Sequence, residues 1–451
     1  MIGFFETFSV FRVIQKKRHD EKRSGKMKRL IVIITIIIAA YSAMFGQKEF
    51  NNWYFGYGGG ITFNTEDGTP AALYGGKTST WEGTSAISDK YGNLLFYTDG
   101  STVWNKNHDV MENGTGLYSH FSSTEGALII EIPGSDKYYI FTTDAHEGYQ
   151  RNEFNYSIVD MNEDNGLGAV TEKNVPLMRD ATERLSAVPH ANGEDIWVVT
   201  FHPYDKSFYS YKLSKEGVEN EPVVSGINSF LPVHYIGQMN FSPDGRKIAF
   251  ANYMYGNVIL AEFDRESGRI SNSMSIQSAK LSSSIYGLEF SPRSNKLYVA
   301  EYSEFYGSKL VQFDVTRLDP SAVENSAELI SNGMPHESFG QLKLGPDWKL
   351  YIVREEGDYL ARVNYPDKDG SACSFEMNAV GLERGRGKHG LPNFIRIIFA
   401  EDIKISSNSP VCRDETLRLY FENHDNFPGA VIRWTGPGGF VSNEINPVID
   451  E

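Results

Sequence analysis

The sequence predicts an all-β protein, a seven-bladed β-propeller followed by a partial β-sandwich. Three observations support this class. Aromatic and glycine residues are abundant, with 25 Tyr, 28 Phe and 42 Gly among 451 residues, a composition typical of turn-rich β proteins. Short apolar strands recur along the chain, each preceded by a turn signal. Long amphipathic helices are absent from the pattern.

The repeating unit is clearest at residues 237–264. Asp244-Gly245 forms a tight turn, residues 247–253 form an apolar strand, and residues 258–263 form its antiparallel neighbour. Equivalent apolar strands recur about 40 to 60 residues apart, the period of a four-stranded propeller blade. We place them at 53–56, 93–98, 137–142, 195–200, 247–251, 296–300 and 349–353. Seven strands of this kind predict seven blades, within a propeller domain spanning residues 47–400.

Residues 1–46 form a basic N-terminal extension with a signal sequence. Met27-Lys28-Arg29 precede the apolar run 30–40, and small residues follow it. This order is typical of a secretory signal peptide, and the run is short for a membrane span. We expect export, with Met27 as the true start and cleavage near Ala43 or Gly46. An uncleaved N-terminal anchor is the alternative.

The late segment 390–399 is an isolated apolar strand with no cassette after it. A ring of blades needs closure, because an open sheet edge promotes aggregation. We therefore expect this segment to share a sheet with residues 53–63. From residue 401 to 451 the pattern changes to the beginning of an immunoglobulin-like or PKD-like module, with Trp434 as a candidate core residue. About a hundred residues make a complete sandwich, so this module is incomplete here.

The formal net charge of −15 excludes nucleic acid as a natural partner, because an acidic surface repels phosphate backbones. Contact with a membrane is expected only through the signal segment, if it is uncleaved. Cys373 and Cys412 are the two cysteines, too few for a disulfide framework.

Several motifs resemble those of secreted WD40/YVTN-like propeller proteins of the Bacteroidetes. They are NWYFG at 52–56, GNLLFYTDG at 92–100, VWNKN at 103–107, YSIVDM at 156–161 and GLPNF at 390–394. In that family the propeller precedes Ig-like or PKD-like modules and often a sorting domain for type IX secretion or gliding motility. The resemblance implies a secreted or cell-surface location and leaves the reaction, if any, open.

No catalytic signature is present: the sequence lacks a Gly-x-Ser-x-Gly elbow, a His-Glu-x-x-His helix and a phosphate-binding loop. Histidines near the starts of cassettes could face a central channel, although scattered loop histidines explain the same pattern. They are His190, His234, His336 and His389. Acidic residues Asp99, Glu125 and Asp144 could converge at a channel mouth as glycosidase carboxylates do. Asp99, Asp144 and His190 are the weak catalytic candidates.

Asp160, Asn162 and Asp164 place oxygen ligands at alternate positions before Gly166, as calcium loops do. The final bidentate glutamate of such a loop is absent at the expected spacing, so an acidic turn is the preferred interpretation. We expect no cofactor, with calcium as the alternative.

Aromatic residues crowd the predicted loops and are candidate ligand-binding residues: Trp81, Trp104, Tyr255, Tyr286, Tyr302 and Tyr306. Exposed aromatic rings bind carbohydrate or protein well because they bury area at small entropic cost. Packing between blades would use the same residues.

Two functions remain open. The first is an exported, non-catalytic binding or adhesion protein that uses the propeller to recognise a glycan or protein. The second is an extracellular hydrolase or lyase acting on polysaccharide or peptide at the propeller channel. The fold permits both.

Overall fold

A computed structural model describes residues 48–132, 135–147, 153–227, 232–303, 307–333 and 338–395. Short stretches at 405–408, 416–421, 434–435, 441–442 and 444–449 are also described. The chain divides into two compact units, one of which is Lys48–Phe399. The predicted signal segment lies outside the described residues. In the described part of the chain, no helix has the length and apolar character needed to cross a membrane.

Blades 1 to 3 come first along the chain, and blade 1 is a sheet of three strands. Blade 1 contains β1 (Asn52–Phe55), β2 (Gly59–Thr62) and β3 (Ala71–Ala72). Blade 2 contains β4 (Ser85–Ser88), β5 (Leu94–Thr98), β6 (Thr102–Asn105) and β7 (Val110–Thr115). Blade 3 contains β8 (Ala127–Glu131), β9 (Lys137–Thr143), β10 (Phe154–Asp160) and β11 (Ala169–Met178). A single parallel pair, Ala169 with Glu112, joins blades 2 and 3 into one eight-stranded sheet.

The next blades repeat the antiparallel order. Blade 4 contains β12 (Ser186–Pro189), β13 (Ile196–His202), β14 (Ser207–Ser214), β15 (Gly217–Val218) and β16 (Val223–Gly226). Blade 5 contains β17 (Met239–Phe241), β18 (Lys247–Asn252), β19 (Asn257–Phe263) and β20 (Ile270–Gln277). Blade 6 contains β21 (Ile285–Phe290), β22 (Lys296–Glu301), β23 (Lys309–Asp314) and β24 (Glu328–Asn332). Blade 7 contains β25 (Phe339–Leu344), β26 (Leu350–Arg354), β27 (Tyr359–Val363) and β28 (Phe375–Gly381).

The prediction of an all-β propeller is confirmed: in blades 2 to 7 each predicted apolar strand overlaps the second strand of its blade, and in blade 1 it overlaps β1. Inner strands are buried on both faces, as all six residues of β21 and β22 are. Outer strands consist mainly of partly or fully exposed residues, as β20 and β28 do. This gradient follows from radial packing, since only the outermost strand of each blade faces solvent.

Helical structure is confined to short pieces in the described part. The helix α1 (Pro320–Asn325) connects β23 to β24, and its N-cap Asp319 accepts a hydrogen bond from the Ala322 amide. Such a cap satisfies one of the free amides of the first turn. Single 3-10 turns lie at Lys48–Phe50, Asp164–Gly166 and Gly370–Cys373.

The segment that ends the propeller does join the two ends of its chain, through isolated bridges rather than a strand ladder in its described part. Arg386 pairs with Tyr57 beside β1, and Pro392 pairs in parallel with Thr84. The Phe394 ring lies 5.2 Å from Phe50 and 5.9 Å from Trp53 between ring centroids. Residues 386–395, which we call the closing segment, therefore complete the inner layer at blade 1.

The C-terminal unit has three described pairings of short strands. β29 (Ile405–Ser407) and β33 (Val448–Ile449) pair with opposite ends of β30 (Leu417–Phe421), and β31 (Trp434–Thr435) pairs with β32 (Val441–Ser442). The buried Trp434 indole donates to the Glu444 carbonyl. An antiparallel β unit with a buried tryptophan is consistent with the expected sandwich module, whose identity stays a prediction.

Candidate functional site at the mouth of the propeller

A glycine precedes or begins the innermost strand in most blades, and these glycines set the diameter of the central axis. A Cβ on Gly390 would lie 2.0 Å from the Glu82 carbonyl oxygen, and one on Gly340 would lie 2.2 Å from that of His389. Real Cβ atoms do not approach backbone atoms this closely, so only glycine permits such contact. The same crowding against backbone occurs at Gly83, Gly126, Gly237, Gly287, Gly340 and Gly390.

Backbone hydrogen bonds connect neighbouring blades at this level. The amides of Glu125 and Glu183 donate to the carbonyls of Glu183 and Tyr235, respectively. Further around the ring, the Gln341 amide donates to His389 at 2.7 Å, and the His389 amide donates to Trp81 at 2.7 Å. These bonds draw the starts of the inner strands together at one end of the ring, which we call the entry face.

Two buried glutamines fill the axis just inside the entry face. The Gln341 side-chain amide donates to the Thr124 carbonyl across the ring at 2.5 Å. The Gln238 side chain donates to the Leu342 carbonyl at 2.8 Å and accepts from the Leu288 and Leu342 amides. Blades 3, 5, 6 and 7 are thus bonded directly to one another through the centre. These hydrogen bonds across the centre occupy the axis at this level.

At four of these glycines the preceding residue is polar and lies at the same end of the axis, whereas Ile236 and Phe339 precede Gly237 and Gly340. Glu82, Glu125, Tyr286 and His389 occupy this position beside Gly83, Gly126, Gly287 and Gly390. In blade 4 the equivalent pair is Glu183-Arg184. All of these side chains are buried except His389, which is partly exposed.

His389 lies between two carboxylates. Its Nδ1 is 3.6 Å from Glu82 Oε1, and its Nε2 is 3.2 Å from Glu355 Oε1. Burial opposes the charged imidazolium, but the two carboxylates outweigh burial and raise the pKa of His389 to about 9. The same contact with His389 lowers the pKa of Glu355. At neutral pH this part of the site therefore contains an imidazolium beside an ionised Glu355.

Aromatic rings surround this charged centre. The Tyr302 ring lies 4.9 Å from His389, and the Trp81 ring lies 6.4 Å from it. The Trp81 indole donates to the Tyr57 hydroxyl at 2.6 Å and meets the Phe121 ring edge-on at 5.6 Å. Tyr57, Trp81 and Phe121 are each more than a third exposed. We call this group the mouth; its residues are Tyr57, Trp81, Phe121, Tyr302, Glu355, Lys388 and His389.

Lys388 lies behind the aromatic part of the mouth. Its buried ammonium is 4.6 Å from the centre of the Tyr57 ring and 5.6 Å from that of Trp81. It also forms an ion pair with Glu356. The cation therefore lies against two rings that are each more than a third exposed.

Burial raises the pKa of two carboxyl groups beside the axis. Burial and then the nearby Glu82 raise the pKa of Glu183 to about 8, although Glu183 accepts bonds from Thr124 and the His146 amide. Burial likewise raises the pKa of Glu82. Arg184 has a structural role, because its guanidinium donates to the backbone carbonyls of His234, Tyr235, Ile236 and Ala251.

A second aromatic group lies at the entry-face loops of blades 3 to 5. His146 stacks on Tyr235 at 4.2 Å, and its ring is 5.8 Å from His234. Tyr204, which is 72% exposed, reaches the Tyr235 ring at 6.3 Å. Burial, with Arg184 nearby, lowers the pKa of His234 to about 4, so its ring is neutral at pH 7.

The structure separates the predicted ligand-binding aromatics into different environments. Trp81, half-buried Tyr302 and exposed Tyr255 lie at the entry face, whereas Tyr286 is 3% exposed beside the axis. The proposal for Trp104 was wrong: it is buried, and it stacks on Tyr97 at 5.4 Å within blade 2. Tyr306, like His336, lies outside the described residues.

The three weak catalytic candidates do not converge. Asp99 accepts hydrogen bonds from the amides of Ser101 and Thr102, and Asp144 accepts from the Ala145 amide, so both hold turns. His190 follows the innermost strand of blade 4 and therefore lies at the opposite end of the ring, where it stacks on Trp197. Among the predicted histidines and acids, His389 and buried Glu125 lie beside the axis at the entry face, and His234 lies in the entry-face loops.

The calcium hypothesis receives no support from the loop at Asp160. Its carboxylate accepts from the Asn162 amide and lies 3.2 Å from the Lys137 ammonium. The Lys137 ammonium therefore occupies the position beside the Asp160 carboxylate that a calcium ion would need. Across the described residues, no group of three or more His, Cys, Asp or Glu side chains is positioned to hold a metal ion.

Glu82 and Glu183 were not among the predicted residues, although a sequence signal exists. Aligning the chain on its innermost strands places the pair Glu-Gly at 82–83 and 125–126, and Glu-Arg at 183–184. Tyr-Gly at 286–287 and His-Gly at 389–390 occupy the same position. The apolar second strands give a stronger repeat than these residue pairs do, so the pairs do not stand out in the sequence.

No protein-family model matches this chain, and no curated protein matches it. Among solved structures, it is similar to streptogramin B lyase, at 12% identity and a TM-score of 0.39, covering 76% of this chain and 92% of that one. A periplasmic gluconolactonase from Pseudomonas aeruginosa is 12% identical, with a TM-score of 0.37 and coverage of 79% and 94%. A functionally unknown protein from Desulfotomaculum acetoxidans is 11% identical, with a TM-score of 0.39 and coverage of 81% and 95%. Likenesses at this level carry no information about a ligand or a reaction.

Proposed function

We propose that this chain is an exported binding protein without catalytic activity that uses the mouth of its propeller to recognise a glycan or a protein. The observation that carries the proposal is the filled axis beneath an aromatic surface. Gln238 and Gln341 occupy the centre through direct hydrogen bonds, so ligand contact is concentrated on the exposed Tyr57, Trp81 and Phe121. Rigid aromatic groups of this kind supply binding energy at low entropic cost.

Export rests on the signal-like sequence at 27–46, and a cell-surface or secreted location follows from it. The resemblance to secreted Bacteroidetes propellers and the C-terminal β unit agree with a surface protein in which the propeller is the recognition platform. N-terminal sequencing of the chain recovered from culture medium or the cell surface tests export. A start near residue 44 or 47 agrees with cleavage, whereas an intact N-terminus in the cytoplasm contradicts it.

A binding screen tests the recognition role directly. Labelled full-length chain is applied to immobilised oligosaccharides and extracellular proteins, and the same mixtures are analysed for cleavage products. We expect saturable binding without turnover and a loss of binding in Trp81→Ala. Tyr91, 68% exposed in the loop between β4 and β5 at the opposite end of the ring, provides the control Tyr91→Ala. Equal loss in both variants would contradict recognition at the mouth.

An extracellular hydrolase or lyase is the second candidate, favoured by the arrangement Glu82–His389–Glu355. A protonated histidine beside an ionised carboxylate can serve as an acid and a base. Product formation from a polysaccharide or peptide panel that is abolished in Glu355→Gln, with folding retained, would favour the enzyme. Absence of product at saturating, measured binding would reject it.

A further inference from the structure

We infer that the mouth binds a neutral glycan, with one sugar ring lying on Trp81 and its hydroxyl groups directed to Glu355 and Tyr302. The inference rests on the proposed binding function and narrows it to one ligand chemistry. It follows from three features of the mouth: a fixed aromatic platform, a cation already placed behind that platform, and polar groups that suit hydroxyl groups.

Trp81 provides a flat surface whose orientation is fixed. Its indole nitrogen donates to the Tyr57 hydroxyl at 2.6 Å, and the Phe121 ring meets it at an interplanar angle of 83°. The side chain is nevertheless 44% exposed. A rigid, exposed ring matches the apolar C–H face of a sugar, because little conformational entropy remains to be lost when the ligand binds.

Lys388 disfavours a cationic ligand on the same rings. Its ammonium is buried and lies within 5.6 Å of the centres of both Tyr57 and Trp81, whereas the rings themselves reach solvent. Cation–π attraction draws on the negative face of an aromatic ring. Because the Lys388 ammonium already lies beside these rings, a cationic ligand placed on them is repelled by it.

An anionic ligand is disfavoured because the cations of the mouth, and Arg386 beside it, already form ion pairs. Lys388 and Arg386 form ion pairs with Glu356, Arg386 also approaches Asp358, and His389 lies between Glu82 and Glu355. Binding a sulfate or carboxylate here would require breaking a pair and placing the anion near carboxylates. The formal charge of −15 adds a long-range repulsion.

The polar groups that remain suit hydroxyl donors. The Tyr302 hydroxyl donates to Glu355 Oε2 at 3.1 Å, and contact with His389 lowers the pKa of Glu355. Glu355 is therefore an ionised acceptor whose side chain is 26% exposed. Sugar hydroxyls provide several adjacent donors, which a carboxylate accepts with good geometry.

The test compares four ligand classes on the full-length chain: neutral hexose oligosaccharides, oligosaccharides of free amino sugars, uronic-acid oligosaccharides and basic peptides. Wild type, Trp81→Ala, Trp81→Phe and Tyr91→Ala are compared by titration. Melting temperatures confirm that each variant is folded. We expect binding to a neutral oligosaccharide, weakened roughly thirtyfold in Trp81→Ala as for a central aromatic anchor. Trp81→Phe should recover part of the affinity, and Tyr91→Ala should retain all of it.

Two outcomes overturn the inference in different ways. Binding to amino sugars, uronic acids or basic peptides that depends on Trp81, without binding to neutral sugars, rejects the ligand class and leaves recognition at the mouth intact. Binding of neutral sugars that is unaffected by Trp81→Ala in a folded variant rejects both the placement on Trp81 and the role of the mouth.

Discussion

Closure of the propeller depends on the close contact between Gly390 and Glu82, which makes Gly390→Ala an informative perturbation. An added Cβ would lie 2.0 Å from the Glu82 carbonyl oxygen and 2.2 Å from its carbonyl carbon. Both obstructing atoms are backbone, so no side-chain rotation relieves the clash. The closing segment must move away from blade 2, and the bond from the Gly390 amide to the Trp81 carbonyl, 3.1 Å long, lies directly at that point.

The magnitude follows from the two losses. Overpacking costs about 1–3 kcal/mol, and a lost hydrogen bond adds about 1 kcal/mol. We therefore expect the free energy of unfolding to fall by about 2–4 kcal/mol. For a unit of the size of Lys48–Phe399, 1 kcal/mol lowers Tm by roughly 1–2 °C. The expected decrease in Tm is then about 2–8 °C.

Differential scanning calorimetry measures this change, with Gly381→Ala as the matched control. A Cβ on Gly381 would meet the Tyr359 ring at 3.5 Å, an ordinary contact, and its backbone is not in the left-handed region. The control should retain the wild-type Tm within about 1 °C, since a substitution without strain changes stability little. A Gly390→Ala variant as stable as the control would refute the proposed closure.

Three further predictions concern buried groups. Arg184→Lys leaves several buried carbonyls without a donor. The free energy of unfolding measured by urea denaturation should therefore fall by about 2–4 kcal/mol. Arg179→Lys is the control and should have no effect, because the Arg179 side chain is 80% exposed. The pKa of His389 is raised to about 9 from about 6.5 in the unfolded chain, so its stabilising contribution is complete below about pH 6.5 and disappears as pH rises through 9. The difference in free energy of unfolding between wild type and His389→Asn should therefore shrink over that interval. A difference that stays constant with pH would contradict this prediction. Trp104→Ala should lower the free energy of unfolding by about 3–5 kcal/mol, because Trp104 is buried against Tyr97. The folded variant should keep its ligand affinity. A selective loss of affinity would show that Trp104 is a binding residue.

The blade pattern was accessible from the sequence because it depends on local chemistry. Residues 248–251 and 297–300 each follow a turn and a lysine and carry uninterrupted apolar side chains, as strands buried on both faces require. The site was less accessible because its residues come together only when the ring closes. Glu82 and His389 are more than three hundred positions apart, and their contact depends on where the closing segment lies.

Individual candidates failed for identifiable reasons. Trp104 and Trp81 are equally aromatic, but Trp104 is in β6 and faces Tyr97, whereas Trp81 lies in the loop before β4. His190 follows the innermost strand of blade 4, whereas His389 lies in the closing segment immediately before Gly390, which places them at opposite ends of the ring. Composition does not distinguish these cases; strand direction does.

Hydrogen–deuterium exchange with and without a bound neutral oligosaccharide tests recognition at the mouth most directly. Ligand binding should slow exchange in peptides covering residues 79–84, 119–125, 353–358 and 386–390, which surround the mouth, and Trp81→Ala should abolish that protection. Exchange in the turns 89–92 and 244–246 at the opposite end of the ring should remain unchanged. Protection confined to those turns or to the outer strands of the blades, with no change around Trp81, would contradict recognition at the mouth.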